Sequence, residues 1–194
     1  MQNMINRVIN KIYSMFLYYE KKVILNNIKI QNQGTITIDK SFQFGKGLNV
    51  VVENEACLFS VAENVSVRNF CSIVLNGTGR LTLSEGVFFN NFCSINCLGQ
   101  INIGAHTLLG EGVKIYDHNH RFKDQGVLIK DQGYTVGKVE IGENCWIGSN
   151  VTILKDVTIG KNSVIGANCL IIKDVPADSV IYADISKQIT RAIV

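Results

Sequence analysis

Two of the chain's three histidines stand within three residues of each other, in Asp117-His118-Asn119-His120. An unperturbed imidazole titrates at about pH 6.5, so either ring could take a proton from a substrate hydroxyl near neutrality, as a general base. The four residues open a polar stretch, Asp117 to Tyr134, that is rich in Lys, Asp and Gln and contains Gly126 and Gly133. A loop of this length without structure of its own is usually functional. One isolated histidine on such a loop reads as a solvated residue; two together move the reading towards chemistry. No Ser-His-Asp or Cys-His arrangement is visible along the chain. The six cysteines form no Cys-x-x-Cys pair, which speaks against a zinc ribbon or a dithiol redox motif.

The elements that position this loop follow it directly. Ile141, Ile147, Ile153, Ile159, Ile165 and Ile171 are each six residues apart, and Gly follows four of them. A helix would space its apolar residues by three and four, and a plain strand by two. A period of six fits a short strand plus a turn, repeated, with one large apolar residue per unit facing a shared interior. Three units close one triangular coil of 18 residues, so Ile141 and Ile159 should stack. Cys145 and Cys169 take the small inward position of the repeat, where Cys behaves as a compact apolar residue, and buried free thiols suit a reducing cytoplasm.

Earlier in the chain the repeat appears at the level of whole coils. Arg68-Asn-Phe-Cys-Ser-Ile73 returns as Asn90-Asn-Phe-Cys-Ser-Ile95, 22 residues on, and Val61 and Val67 correspond to Leu83 and Phe89 at the same offset. The two Asn-Phe-Cys-Ser segments should lie one above the other, with extra residues at a corner near Asn76-Gly-Thr-Gly79. Ile103, Leu109 and Ile115 resume the six-residue step, and the phase then slips: Ile115 to Ile141 spans 26 residues. An ejected loop at a corner explains both the slip and the polar composition.

At 194 residues the chain has room for one domain with a sizeable core. Its net charge of +3 is too small to argue for nucleic acid and has no Lys/Arg-rich run to focus it, so no nucleic-acid partner is expected. Residues 1–20 carry apolar positions at helical spacing, and the apolar run there is too short to span a bilayer and has no cleavage site. This amphipathic helix is expected to pack on the β-solenoid or a neighbouring subunit; the alternative is peripheral contact with a membrane surface through Arg7, Lys11, Lys21 and Lys22. The domains expected are thus 1–22 as an N-terminal helix, 23–176 as the solenoid with loop 117–134, and 177–194 as a C-terminal cap or tail.

Asp117-His118-Asn119-His120, the loop, Ile141-Gly-Glu-Asn-Cys-Trp-Ile-Gly-Ser149 and Lys173-Asp-Val-Pro176 together resemble the hexapeptide-repeat acyltransferases. Within them the resemblance is to the maltose, galactoside and polysaccharide O-acetyltransferases, over roughly residues 60–190. It implies an all-β, left-handed parallel β-helix, a homotrimer with active sites between subunits, and acetyl-CoA as donor without a catalytic metal. The family's catalytic histidine falls on His120, with His118 as the second choice. The family's acceptor-binding Asn falls on Asn91, with Phe89 lining the same pocket. The family's acidic acceptor residue has no counterpart, and Asn96 is nearest. On the donor side, Trp146 matches the family's tryptophan, Ser149 and Ala167 would border the pantetheine arm, and Ile172 and Lys173 would continue that wall. Lys187 and Arg191 would meet the CoA phosphates, although Ile185 replaces the family's tail proline.

The activity so implied is O-acetylation of a sugar hydroxyl in surface-polysaccharide assembly, in the cytoplasm or at the inner face of the membrane. N-acetylation of an amino sugar or acylation of a small xenobiotic is the nearest alternative. A zinc-dependent hydratase of the same fold, using His106, His118 and His120, fits poorly at spacings of 12 and 2. A non-catalytic β-helix completes the set.

Overall fold

The computed structural model describes residues 33–183, together with Asn6, Arg7, Ile9, Lys11, Ile12 and Met15, which are helical. The remainder of the expected N-terminal helix and the tail carrying Lys187 and Arg191 lie outside the described residues. Among those described, no helix is long and apolar enough to cross a membrane.

Three parallel sheets form the faces of a β-solenoid. Face A stacks Thr35–Ile38, Leu58–Val61, Arg80–Leu83, Gln100–Ile103, Lys138–Ile141 and Val157–Ile159. Face B begins at Gln43–Phe44 and includes Phe88–Phe89, Leu108–Leu109, Trp146–Ile147 and Val164–Ile165. Face C runs from Asn49–Val52 through Ser72–Leu75, Ser94–Cys97, Lys114–Tyr116 and Thr152–Ile153 to Leu170–Ile171.

The six-residue period sets the register. Ile141 pairs with Ile159, Ile147 with Ile165 and Ile153 with Ile171, each one 18-residue coil apart. Alternation within each strand turns one residue inward and the next out, which makes the inward isoleucines a continuous core at 5% exposure or less. The 22-residue repeat is equally literal: Val61 pairs with Leu83, Val67 with Phe89 and Ile73 with Ile95. The solenoid continues past Pro176, because Val180–Ile181 pairs with Val164–Ile165 on face B. That last coil is tighter, at sixteen residues.

All six cysteines are buried and unpaired. Cys71 Sγ donates to the Asn90 carbonyl at 3.1 Å, Cys93 Sγ to that of Gly110 at 3.2 Å and Cys145 Sγ to that of Gly160 at 3.3 Å. Burial pushes the thiols of Cys97, Cys145 and Cys169 up, and the neighbouring Cys71 does the same for Cys93.

Most corners turn through a residue with φ near +60°, which strains most L-residues but is tolerated by Asn and Asp. Asn64, Asn144, Asn150, Asn162 and Asn168 serve in this way, as do Asp156, Asp178 and His106. Phe70 and Phe92 do so as well, at φ 57° and 61°.

The long insertion departs from face C and returns to face A. Gln100 pairs with Lys138, thirty-eight residues on, where a regular coil takes eighteen. The insertion is more ordered than a polar loop. His118–His120 pairs antiparallel with Tyr134–Val136, so the polar stretch is a β-hairpin arm rooted at the C–A corner. Tyr-Thr-Val is a strong strand former, which explains why the return leg pairs at all.

Candidate active site

The root of the arm is pinned by a buried carboxylate. Asp117 is fully buried, and it accepts hydrogen bonds from the backbone N–H of Leu98 at 2.9 Å and of Gly99 at 2.8 Å. Its third partner is His118 Nδ1 at 3.0 Å. A buried charge is tolerated only when it is satisfied in this way. The Gly137 N–H closes the root by donating to the Asp117 carbonyl at 2.7 Å. Two glycines make the fit possible: a Cβ at Gly99 would lie 2.6 Å from the Gly137 carbonyl oxygen, and one at Gly137 would strike the Asp156 carboxylate. The Lys155 ammonium beside Asp156 holds that carboxyl below the usual range.

Residues two apart in a strand share a face, so His118 and His120 look the same way, onto Tyr134. The His118 ring is edge-on to Tyr134 at 5.2 Å and to Tyr116 at 6.5 Å. The His120 ring lies 4.5 Å from that of Tyr134, tilted by 43°. Their accessibility differs. The His118 side chain is only 14% exposed and its Nδ1 is engaged by Asp117. His120 is exposed and opens on a cleft of about 480 Å³ lined by Asn119, Phe122, Lys123, Thr135 and Lys155. Such an arrangement leaves one imidazole free to exchange a proton, with an ammonium nearby to meet developing negative charge.

The outer half of the arm is organised by Gln132, a buried polar residue at 8% exposure. Its Oε1 accepts from the Asp124 N–H at 3.0 Å, and its Nε2 donates to the carbonyls of Asp124 at 3.1 Å and Val127 at 2.8 Å. Gln132→Ala removes all three bonds. Trypsin should then cut at Arg121, Lys123 or Lys130 at least several-fold faster, while the melting temperature of the solenoid moves by no more than a degree or two.

The other candidates fall at four places. Ile172 and Lys173 are exposed on the C–A corner, two coils beyond the arm root. Asn96 is half-buried on face C and register-paired with Tyr116, next to the root of the arm. Asn91, Ser149 and Ala167 sit on the B–C corner, at the opposite edge of face C, with Ser149 and Ala167 in adjacent coils as their spacing predicts. Trp146 is 57% exposed on the outside of face B. One protomer therefore places His118, His120 and Asn96 at the arm and its root, with Ile172 and Lys173 two coils further along the same corner, and holds Asn91, Trp146, Ser149 and Ala167 on the other side of face C. His106 lies at the A–B corner against Gly86, away from the other two histidines.

Phe89 must be corrected. It is completely buried inside the solenoid and cannot line an acceptor pocket; the outward residue of its strand is Phe88. Asn91 has a structural duty too, since its Oδ1 accepts from Asn69 N at 3.1 Å and Asn69 Nδ2 at 3.3 Å. Sequence reasoning passed over Asp117, Tyr134 and Lys155 as site residues. The adjacency Asp117-His118 was a usable signal for the first, and the Tyr-Thr-Val strand for the second; Lys155 joins only through the stacking of coils.

The fold and its period define a class. Residues 138–173 match the family model for the bacterial transferase hexapeptide (six repeats). It is 30% identical over 134 residues to the "Probable acetyltransferase Rv3034c" of Mycobacterium tuberculosis, covering 69% of this chain and 44% of that protein. It is 28% identical over 120 residues to the "Putative colanic acid biosynthesis acetyltransferase WcaF" of Escherichia coli, covering 62% of each. The chain thus spans less than two thirds of the length of these curated relatives. Among solved structures, a mutant of AntD, an N-acyltransferase from Bacillus cereus in complex with dTDP-4-amino-4,6-dideoxyglucose and coenzyme A, shares the fold. The TM-score is 0.55 at 15% identity, over 75% of this chain and 81% of that one.

Proposed function

We propose that the protein transfers an acetyl group from acetyl-CoA to a hydroxyl of a sugar used in surface-polysaccharide assembly. The observation that carries this reading is the exposed His120 ring, set on a pinned arm and opening on a cleft beside Lys155. His120 removes the proton of the acceptor hydroxyl as its oxygen attacks the thioester carbonyl. The negative charge that develops on the carbonyl oxygen is met by the Lys155 ammonium or by backbone N–H groups. The tetrahedral intermediate collapses, the C–S bond breaks, and the CoA sulfur recovers the proton from His120. Holding both substrates in one cleft supplies much of the acceleration.

The donor follows the small exposed residues. Ser149 and Ala167, stacked in adjacent coils, leave the backbone approachable by a thin pantetheine arm, and Trp146 and Lys173 are exposed for the remainder of the molecule. Because Trp146, Ser149, Ala167 and Asn91 lie across the solenoid from His120, the complete site is composed between two copies of a homotrimer. His118, held by Asp117, positions the strand that carries His120. Lys187 and Arg191 remain proposed partners of the CoA phosphates.

The test is thiol release from acetyl-CoA by the full chain against free, nucleotide-linked and polymeric sugars, followed by mass analysis of the acceptor. An added acetyl ester on a sugar is the expected product. An acetyl amide on an amino sugar alone would replace O- by N-transfer, and no thiol release with any acceptor would refute the proposal.

A further inference from the structure

Among the described residues, ten other than glycine have a positive φ, and eight of these are Asn, Asp or His. The two exceptions, Phe70 and Phe92, are bulky residues held in a conformation that disfavours them. Backbone strain kept at particular positions points to function when an observation there supports it. Here the observation is the rings themselves. They stack on each other at 5.5 Å between centroids and 10° between planes, yet remain 57% and 55% exposed. Gly47, one coil earlier, gives the Phe70 ring the space it lies over.

The surroundings of this ring pair are polar. Asn69 and Asn91 immediately precede the two phenylalanines and line a cleft of about 300 Å³ with Gln43, Ser66 and Arg68. Arg68 donates to Asn90 Oδ1 at 3.4 Å, and its guanidinium lies 5.3 Å from the Phe88 ring centroid. An exposed aromatic stack flanked by amides and a guanidinium matches a pyranose ring, which offers an apolar C–H face and a rim of hydroxyls. The platform is also long. It spans two successive coils, about 4.8 Å apart, and so extends one coil beyond Asn91.

We propose that the Phe70–Phe92 ring pair is a glycan subsite that binds two or more linked sugars along the B–C corner, so that the acceptor is oligomeric rather than a free monosaccharide. The word acceptor rests on the acetyl-transfer reading; the glycan subsite does not. Polar edges favour a sugar chain over a second copy of the protein, whose burial of this corner would strand the Arg68 guanidinium without water.

Phe70→Asn separates these outcomes, because Asn is the residue this fold uses at five other corners and the variant should fold with an unchanged or higher melting temperature. The full chain and the variant are compared on an array of bacterial surface oligosaccharides and their constituent monosaccharides. Oligosaccharides should bind the parent protein at least tenfold more tightly than monosaccharides. Phe70→Asn should lose that tenfold while binding monosaccharides and acetyl-CoA as before. Equal binding of short and long sugars by the parent, or undiminished oligosaccharide binding by the variant, would overturn the proposal. A change in sedimentation of the variant would also overturn it, by making the rings a contact between copies. Array binding that is lost in the variant, in a protein that acetylates nothing, would uphold the subsite and sink the acetyl-transfer reading. Acetylation of monosaccharides and oligosaccharides alike, indifferent to Phe70→Asn, would do the reverse.

Discussion

His120→Ala is expected to lower kcat for acetyl transfer by about 10²- to 10⁴-fold, the range ascribed to a positioned general base, and to leave the Kd for acetyl-CoA within a factor of two. The ring is exposed and contacts only Tyr134 among the ring pairs of the arm, so its loss should hardly alter the melting temperature. His118→Ala should behave differently. It strips one partner from the buried Asp117 carboxylate, which keeps the Leu98 and Gly99 N–H donors, and the loss of one hydrogen bond to a charged group costs about 1.5–3 kcal/mol. A fall in activity accompanied by a lower melting temperature is therefore the signature of His118 as a positioning residue. Steady-state kinetics, calorimetry and thermal melts on the two variants decide the matter. Should His118→Ala abolish turnover in a fully stable protein while His120→Ala retains it, the roles of the two histidines are exchanged.

Phe89→Ala is expected to destabilise the protein by about 3–5 kcal/mol, as truncation of a buried aromatic side chain does. Phe89 has no exposed surface, and its Cα partners on either side are Val67 and Leu109, also core residues. The void would open in the middle of face B, where the coils above and below are fixed by their own register and cannot collapse into it. Chemical denaturation measures the loss. The KM for the acceptor, determined on the fraction that remains folded, should not change. A raised KM without loss of stability would return Phe89 to the acceptor pocket.

Most of the scaffold was legible because its determinants are local and repeated. A six-residue period forces Ile141 over Ile159, and the duplicated Asn-Phe-Cys-Ser segment forces Phe70 over Phe92. The arm was legible as an insertion but not as a hairpin. Its polar composition concealed the return strand, although Tyr134-Thr135-Val136 carries the β-branched and aromatic residues that favour pairing. Phe89 was misjudged for a subtler reason. Its match to the inward Val67 one coil earlier already placed it in the core, and alternation along the strand left only Phe88 outside. Of the hydrogen-bonding hub at Asp117 only the adjacent His118 was legible, since the backbone donors Leu98 and Gly99 come from the preceding coil. Nor could sequence reveal that the candidate residues divide between two corners, because the triangular cross-section alone sets that division.

The thirty-eight-residue interval between Gln100 and Lys138 has a consequence for how such a protein can change. The coils on either side meet in parallel register whatever hangs from the corner between them, since Ile103 pairs with Ile141 as directly as Ile141 does with Ile159. Reactivity and architecture are thereby modular. An arm of another length or chemistry could be grafted at the same corner, and the inherited stack of coils would serve as an inert chassis for a different catalyst.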